Sequence, residues 1–349
     1  MSARKNAIEF WKEFEKVEHS IRECLHHEKY EECMELVEPL DNYAYENFGC
    51  HFFVDNSYGD YELTWDTGPS KTIQYLAAMV CHMATPSIKK SWILNSCLPP
   101  LSQKAIQAQV QIKEQIYTLT DFMLFYTMDE TQQAWHCEIY CPGFSLIANP
   151  ENKKEMSMYL LELALGECAY EAYIASVDFL DAPKTDMQFC NLVDAYEKIM
   201  DHVEKKNWKV YQSPLEIYSV FQPIQDFASD SLRKDMKFIF TTHPLLIEDT
   251  LEEKTDVIKD LEAKQGEFDY IYYNNLFNTR EDALFRQELS KQLDQAFQKS
   301  QCAKVIGGAI GKSYSYIDCI VFDTYRFKST FEQIKKQLDS KVKLHIQKF

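Results

Sequence analysis

The spacing of apolar residues predicts two amphipathic helices in the first 48 residues. Apolar side chains recur at intervals of three and four residues, which is the pattern of one buried helix face. The first stripe contains Phe10, Phe14, Val17, Ile21 and Leu25, and the second contains Met34, Val37, Leu40, Ala44 and Phe48. Gly49 follows the second stripe and is a typical helix stop. We therefore expect an N-terminal helical hairpin.

Strands and helices alternate after the hairpin. Short apolar runs predict strands at 51–55, 61–66, 92–94, 121–127, 133–141 and 172–180. Ser70 begins a predicted helix, and Asn149-Pro150 begins another with a cap and a proline at its first position. That second helix is expected to end near Ala164 or Gly166, and a connecting helix is expected at 186–204. This order predicts one α+β sandwich, with helices covering a sheet.

The last part of the chain has the order β-α-β-β-α-β. Its strands are expected at 268–273, 303–309, 314–322 and 341–346, and its helices at 279–299 and 324–338. Thr279 and Asp282 are spaced as a capping box, which marks the first of these helices. The order is that of the ferredoxin-like unit. The predicted fold class is therefore α+β, with two ferredoxin-like sandwiches after the helical hairpin.

The distribution of charge divides the chain near residue 205. Residues 1–205 contain 16 Lys and Arg against 33 Asp and Glu, whereas residues 206–349 contain 21 of each kind, so the whole net charge of −17 lies in the first part. We expect three domains: a helical hairpin at 1–49, an acidic α+β domain with its connecting helix at 50–205, and a ferredoxin-like domain at 206–349.

The acidity of the first part bears on the choice of partner. Nucleic acids and anionic membranes attract a positive protein surface, so neither is expected as a partner. A basic protein would be attracted to residues 1–205, although the same charge is also explained by solubility alone. The start of the chain has no apolar signal-peptide core, and no apolar run approaches the roughly 18–20 residues of a membrane span. We expect a cytoplasmic location.

The cysteine and histidine spacings do not predict a metal site. The nearest approach to a ligand pattern is His136-Cys137 followed by Cys141. On a strand, Cys137 and Cys141 share one face while His136 points to the other. Two thiols on a core-facing side are typical of packing in a reducing compartment. No metal and no cofactor is expected.

The glycine-rich stretch Val305–Ser313 resembles a phosphate-binding loop but departs from its spacing. Such a loop has four residues between its first glycine and the Gly-Lys-Ser ending, and a helix follows it. Here only three residues separate Gly307 from Gly311, and a strand follows Lys312 and Ser313. The pattern predicts a β-hairpin in which at least one glycine has a positive φ, and Gly308 is the expected one.

Asp318 is the most informative charge in the chain because it falls in the middle of a predicted strand. Three interpretations are open: it accepts hydrogen bonds and serves the fold, it faces solvent on an aromatic sheet surface, or it belongs to a ligand pocket. In the third interpretation the ligand-binding residues are Gly307, Gly308, Gly311, Lys312, Tyr316 and Asp318. Tyrosines of the same sheet are expected either in the core or on an open face of the kind that stacks RNA bases. These are Tyr270, Tyr272, Tyr273, Tyr314 and Tyr316.

Several segments resemble a family of uncharacterised cytosolic bacterial proteins. The segments are 61–68 with 92–94, 160–167 with 170–177, and 307–311 with 316–318. The resemblance covers about a third of the chain and implies no activity, since its motifs are structural. In outline the C-terminal half is also similar to the small α+β inhibitor of ribonuclease E, a resemblance of topology that does not determine function.

These observations favour a non-enzymatic interaction or regulatory protein. The acidic first part would bind a basic protein partner, and an immunity or inhibitor role is one form of this hypothesis. No nucleophile with a neighbouring base can be recognised in the sequence. The alternative is an enzyme or small-ligand-binding protein that uses a pocket near the Gly307–Gly311 turn.

Overall fold

A computed structural model describes residues 2–56, 59–101, 109–224 and 232–349 of the chain. The fold is mixed α+β and begins with a helical hairpin, as the apolar spacing predicts. The first helix begins at the N-cap Ser2, whose hydroxyl accepts a hydrogen bond from the Lys5 backbone N–H. The second helix ends at Gly49, which has a left-handed φ of 82°. Glycine suits this position because it has no Cβ to clash there.

The helices and strands are as follows in chain order. The helices are α1 (Ala3–His26), α2 (Tyr30–Phe48), α3 (Lys71–Met83), α4 (Pro86–Ser91), α5 (Pro150–Tyr173), α6 (Ala195–Lys205), α7 (Pro244–Leu251), α8 (Asp256–Ala263), α9 (Arg280–Ser300) and α10 (Thr324–Lys335). The first strands are β1 (His51–Asp55), β2 (Tyr61–Asp66), β3 (Trp92–Asn95), β4 (Gln109–Ile112), β5 (Gln115–Thr118), β6 (Met123–Asp129), β7 (Ala134–Tyr140), β8 (Ile174–Leu180) and β9 (Gln188–Asn191). The later strands are β10 (Ser219–Phe221), β11 (Met236–Thr241), β12 (Glu267–Asn274), β13 (Ala303–Gly311), β14 (Tyr314–Val321) and β15 (His345–Lys348).

The chain forms two compact units, and each is assembled from separate segments. Unit 1 comprises residues 1–53, 70–92 and 218–349, and unit 2 comprises residues 54–69 and 93–217. The units divide the chain differently from the three predicted segments, since the helical hairpin belongs to the same unit as the C-terminal part. Unit 2 contains 22 Asp and Glu against 9 Lys and Arg, a net charge of −13, whereas unit 1 has a net charge of −4.

The main sheet of unit 1 has six strands, in the order β10-β11-β13-β14-β12-β15. Every neighbouring pair is antiparallel. One face packs on α9 and α10 through a core that contains Ile271, Ile317, Leu293 and Phe327. The opposite face contributes a second core, which contains Tyr270, Tyr316 and Ile239. The sheet is therefore buried on both faces around its central strands.

Helix α3 is attached to the rest of unit 1 by buried hydrogen bonds. The Trp11 indole N–H of α1 donates to the Val80 carbonyl oxygen at 2.8 Å. His243, the N-cap of α7, accepts through Nδ1 from the Leu246 backbone N–H, so its Nε2 carries the proton and donates to Thr72 Oγ1 at 3.0 Å. Burial lowers the pKa of His243 to about 4, so this ring stays neutral.

The strands of unit 2 differ from the predicted single sandwich. Strands β6 to β9 form a sheet in the order β8-β7-β6-β9, while β2 lies in a separate three-stranded sheet with β1 and β3. The prediction of a ferredoxin-like sandwich in residues 50–205 is therefore wrong. Helix α5 connects β7 to β8 as a crossover, so these two strands are parallel, and its apolar side packs on the core of this sheet.

Two element boundaries in unit 2 also differ from the sequence prediction. The expected helix at 186–204 begins as strand β9, which pairs with β6 at Phe125 and Phe189. A 3-10 turn at Leu192–Asp194 follows it, and the α-helix covers only Ala195–Lys205. Helix α5 does not end at Gly166 but continues to Tyr173 across a kink. At this kink Gly166 has φ 72° and ψ 155°, a conformation that glycine adopts without steric cost.

Candidate functional site

The glycine-rich stretch forms the predicted β-hairpin. Strands β13 and β14 pair from Ala303 opposite Val321 to Ile310 opposite Ser315, and the register shifts at Gly307. Gly307 has φ 156°, whereas Gly308 does not have a positive φ, so the expectation for Gly308 is wrong. A Cβ atom at Gly308 would nevertheless lie 2.2 Å from the Tyr316 carbonyl oxygen. Gly308 is required by close packing rather than by backbone conformation.

The Asp235 carboxylate fills the space beside the hairpin turn. It accepts hydrogen bonds from the backbone N–H of Ser313 at 2.7 Å and of Tyr314 at 3.3 Å. A Cβ atom at Gly311 would lie 2.4 Å from Asp235 Oδ2. Lys312 is exposed at the tip of the turn. The geometry at Gly311 therefore supports a tight hairpin in which the Asp235 carboxylate fills the space beside the turn.

Asp318 lies in a buried ion pair. Its side chain is completely buried, and its two oxygens accept hydrogen bonds from Arg233 Nη1 at 2.6 Å and Nη2 at 3.3 Å. The Arg233 guanidinium lies over the rings of Tyr270, Tyr316 and Phe349 at 4.5–5.5 Å. The interpretation that Asp318 faces solvent is wrong, because the side chain is fully buried and bonded to both terminal nitrogens of Arg233.

Tyr316 connects the ion pair to the hairpin turn. Its hydroxyl donates to Asp235 Oδ1 at 2.8 Å and accepts from the Arg233 backbone N–H at 2.9 Å. Burial raises the pKa of the Tyr316 hydroxyl well above its ordinary value. A phenol that stays protonated, with its hydrogen bonds already formed, holds the segment 233–235 against β14. Of the predicted site residues, Tyr316 and Asp318 belong to this network and the glycines pack beside it.

The tyrosines divide between the core and the surface. Tyr270, Tyr273 and Tyr316 are buried, as the packing interpretation predicts. Tyr272 and Tyr314 are partly exposed and pack edge to face, with ring centroids 5.7 Å apart. The alternative of an open face formed by all five tyrosines is therefore wrong, since only two of the rings are partly exposed.

Arg233 and Asp235 are the residues that sequence reasoning missed. Both precede β11 along the chain and contact β14 only because β11, β13 and β14 are neighbours in the sheet. The polar pattern of 230–235 resembles an ordinary surface turn, so it carries no signal for these contacts. The mid-strand Asp318 did carry a signal, since a buried carboxylate requires a partner.

The thiols considered as metal ligands lie in the core of unit 2. Cys137 and Cys141 are both buried, and burial raises the pKa of Cys137 to about 12. His136 is exposed on the other face of β7 and contacts Ser176 Oγ at 2.8 Å. Across the described ranges, no group of three or more His, Cys, Asp or Glu side chains is arranged to hold a metal ion.

A groove lies along α6 in unit 2. Its volume is about 620 Å³, and its lining residues are Tyr196, Glu197, Met200, Asp201, Val203, Glu204, Asn207, Trp208 and Val210. Trp208 is 6% exposed and contacts His202 edge to face at 5.0 Å. The half-buried Tyr196 and Met200 add aromatic and apolar surface to the groove.

The charged rim of the groove is acidic. Glu197, Asp201 and Glu204 are all exposed on α6. Lys205 pairs with Asp201 at 3.5 Å, and Lys206 turns away to Glu130 at 2.8 Å. In the part of the chain that the structure describes, Glu197 and Glu204 have no cationic partner within 4 Å. Two carboxylates thus remain available beside an aromatic floor.

Comparisons with known proteins add no relative. No family model, no curated protein and no solved structure matches the chain. Within the described ranges, no helix has both the length and the apolar composition needed to cross a membrane. The functional interpretation therefore depends on the two sites described above.

Proposed function

We propose that this chain is a non-enzymatic interaction or regulatory protein that binds a basic protein partner through unit 2. The observation that supports this most directly is the α6 groove, which is lined by Glu197 and Glu204 together with Trp208 and Tyr196. Unit 2 also carries a net charge of −13. A negative field around a groove attracts cations and excludes acidic competitors.

The chemistry of the groove favours a lysine- or arginine-containing segment. Carboxylates at the rim accept charge-assisted hydrogen bonds from these side chains. Aromatic rings at the floor attract the same cations through their faces, and they also contact the aliphatic stems of Lys and Arg. A neutral apolar peptide would use the floor only, and an acidic peptide would be repelled by the rim.

The spacing of the rim carboxylates defines the sequence that fits. Glu197 and Glu204 are seven residues apart on α6, which places them about 10 Å apart along the helix axis. A chain in the polyproline II conformation covers this distance in about three residues, and its three residues per turn place residues i and i+3 on the same side. We therefore propose a partner segment in this conformation with two basic residues separated by two others.

Fluorescence anisotropy with a labelled peptide tests this proposal. The peptide carries two lysines separated by two small polar residues, and a matched peptide has glutamates in their place. We expect the lysine peptide to bind and its affinity to fall at least tenfold between about 50 and 300 mM salt, because exposed charges are screened. We expect no binding of the glutamate peptide.

A double variant with a matched control locates the binding site. Glu197→Gln combined with Glu204→Gln should lower the affinity for the lysine peptide at least fivefold. Glu31→Gln with Glu38→Gln makes the same charge change, at the same seven-residue spacing, on the exposed face of α2 in unit 1. Equal losses of affinity in the two double variants would show that net charge alone explains the binding. The proposal would be overturned if the parent chain did not bind the lysine peptide.

We further propose that β12 to β15 form a ferredoxin-like unit. These strands alternate with α9 and α10 in the order β-α-β-β-α-β and lie in the sheet order β15-β12-β14-β13. Strands β11 and β10 extend the sheet beyond β13.

We also propose a cytoplasmic location. Cys24, Cys33, Cys137, Cys141, Cys302 and Cys319 are buried thiols outside any disulfide. Free thiols of this kind are typical of a reducing compartment. Direct localisation of the tagged protein tests this proposal.

A further inference from the structure

The guanidinium of Arg286 is a buried cation in unit 1. Arg286 lies on α9 and is 7% exposed. Its Nε atom is buried and has no hydrogen-bond partner within the described ranges, and no carboxylate there lies within 4 Å of its nitrogens. An arginine stays protonated in a folded protein, so the positive charge must be balanced by its surroundings.

The surroundings balance this charge only weakly. The Arg286 Cζ atom lies 4.0 Å from the centroid of the Phe240 ring, which supplies a cation–π contact. Asp318 acts on Arg286 electrostatically, but the Asp318 carboxylate is already bonded to Arg233. Burial lowers the pKa of the Arg286 guanidinium, and the nearby Tyr273, Asp318 and Tyr218 oppose this shift.

The backbone of β13 makes room for the guanidinium. Gly308 lies opposite Phe240 of β11, and a Cβ atom at Gly308 would lie 3.1 Å from Arg286 Nη1. Glycine at this position therefore allows the guanidinium to lie close to the sheet. Two independent features hold the guanidinium there: the Phe240 ring on β11 and the absence of a side chain at Gly308 on β13.

Two hydroxyl groups belong to the surroundings of Arg286. Ser290 is one turn further along the same face of α9, and its buried Oγ atom has no hydrogen-bond partner in the described part of the chain. Tyr218 is 54% exposed and its ring lies 6.5 Å from that of Phe240. Burial and the Asp294 carboxylate raise the pKa of Tyr218, and the Arg286 charge opposes this increase.

We propose that Arg286, with the hydroxyls of Ser290 and Tyr218, binds a small oxyanion. The ligand chemistry is that of a phosphate group or a carboxylate, since both present oxygens to the donors of a guanidinium and accept hydrogen bonds from hydroxyls. This site lies in unit 1 and does not rest on the α6 groove of unit 2.

Isothermal titration calorimetry of the full chain with sodium phosphate, and separately with sodium acetate, tests the site at constant ionic strength. We expect saturable binding of at least one of the two anions, and the one that binds identifies the source of the oxygens. Arg286→Met should weaken that binding at least tenfold. Arg280→Met should leave it unchanged, since Arg280 is exposed at the start of the same helix.

The absence of saturable binding of both anions would overturn the proposal, and so would equal affinity in the parent chain and in Arg286→Met. If Arg286→Met does not fold, Tyr218→Phe and Ser290→Ala decide the matter, because each removes only one hydroxyl. A loss of at least threefold in either variant supports the site. Unchanged affinity in both variants overturns it.

Discussion

Gly308 shows how a single missing side chain supports a hairpin. Replacement by valine would place a Cβ atom 2.2 Å from the Tyr316 carbonyl oxygen and 3.1 Å from Arg286 Nη1. We predict that Gly308→Val lowers the free energy of unfolding by roughly 1–3 kcal/mol, the usual cost of overpacking. Urea denaturation of the variant and the parent measures this difference. Equal midpoints would show that the hairpin tolerates a side chain here.

At the residue scale, the sequence predicts that the hairpin requires glycines, but it does not predict the physical reason at each position. The clustering of glycines in 307–311 and the strand after it predict the hairpin, because both signals are local. The assignment of a positive φ to Gly308 rather than Gly307 failed, because the register shift between β13 and β14 decides it. A bulge depends on how two strands pair, and neither strand alone encodes it.

Asp269 gives the stability a predictable dependence on pH. This side chain is 1% exposed, and burial together with the nearby Glu267 raises its pKa from 3.8 to about 7. The folded state therefore holds the proton more tightly than the unfolded state. The stability from this group is complete below about pH 4 and is lost as the pH rises through about 7.

Asp269→Asn should remove this dependence because asparagine stays neutral. We predict that the variant is more stable than the parent at pH 8 by roughly 4 kcal/mol, and that the difference vanishes near pH 4. Urea denaturation at several pH values gives both curves. Asp256→Asn, at an exposed position on α8, should follow the parent curve. Parallel curves for Asp269→Asn and the parent would refute the role given to burial.

At the scale of elements, the kink in α5 shows how a distant segment of the chain can stabilise a break in a helix. The break at Gly166 leaves backbone groups of α5 without partners in the helix, and the segment 98–101 supplies replacements. The Leu101 N–H donates to the Ala164 carbonyl oxygen at 3.3 Å, and the Glu167 N–H donates to the Leu98 carbonyl oxygen at 3.0 Å. The Glu167 carboxylate in turn accepts from the Leu98 N–H at 3.2 Å.

We predict that Gly166→Ala destabilises unit 2. An alanine would have to adopt φ 72°, and its Cβ atom would lie 2.6–2.8 Å from the backbone of 98–100. The expected cost is roughly 1–3 kcal/mol. Hydrogen exchange should show faster exchange of the Glu167 and Leu101 amides in the variant than in the parent. Unchanged protection of both amides would mean that the segment 98–101 does not depend on the kink.

The same helix shows which element boundaries the sequence predicts. Asn149-Pro150 marks its start correctly, because capping is a property of a few adjacent residues. The sequence predicts its end near Ala164 or Gly166, because glycine usually stops a helix. The helix continues because the segment 98–101, over 60 residues away, satisfies the broken turn. Likewise, the sequence predicts a helix at 186–204 where β9 forms, because the pairing partner of β9, β6, lies far along the chain.

At the scale of the whole molecule, the folding units are not continuous in sequence. The charge step at residue 205 and the C-terminal β-α-β-β-α-β order both indicated a separate domain at 206–349. In the structure, however, unit 1 also includes residues 1–53 and 70–92. The Ala3 N–H donates to the Gln265 carbonyl oxygen at 3.0 Å, and the Arg4 N–H donates to the Phe322 carbonyl oxygen at 3.1 Å. Neither composition nor periodicity records such contacts between the two ends of a chain.

A fragment that contains only residues 206–349 should therefore fold poorly. Without α3 it loses the partner of His243 at Thr72 and the partner of Thr242 at Tyr75, and it exposes the surface that they cover. Buried polar groups left without partners cost about 1–3 kcal/mol each, which is a large part of the net stability of a small domain. We predict no cooperative thermal transition for the fragment by circular dichroism, whereas the full chain shows one. A sharp transition in the fragment, at a temperature close to that of the full chain, would show that residues 206–349 form an autonomous domain after all.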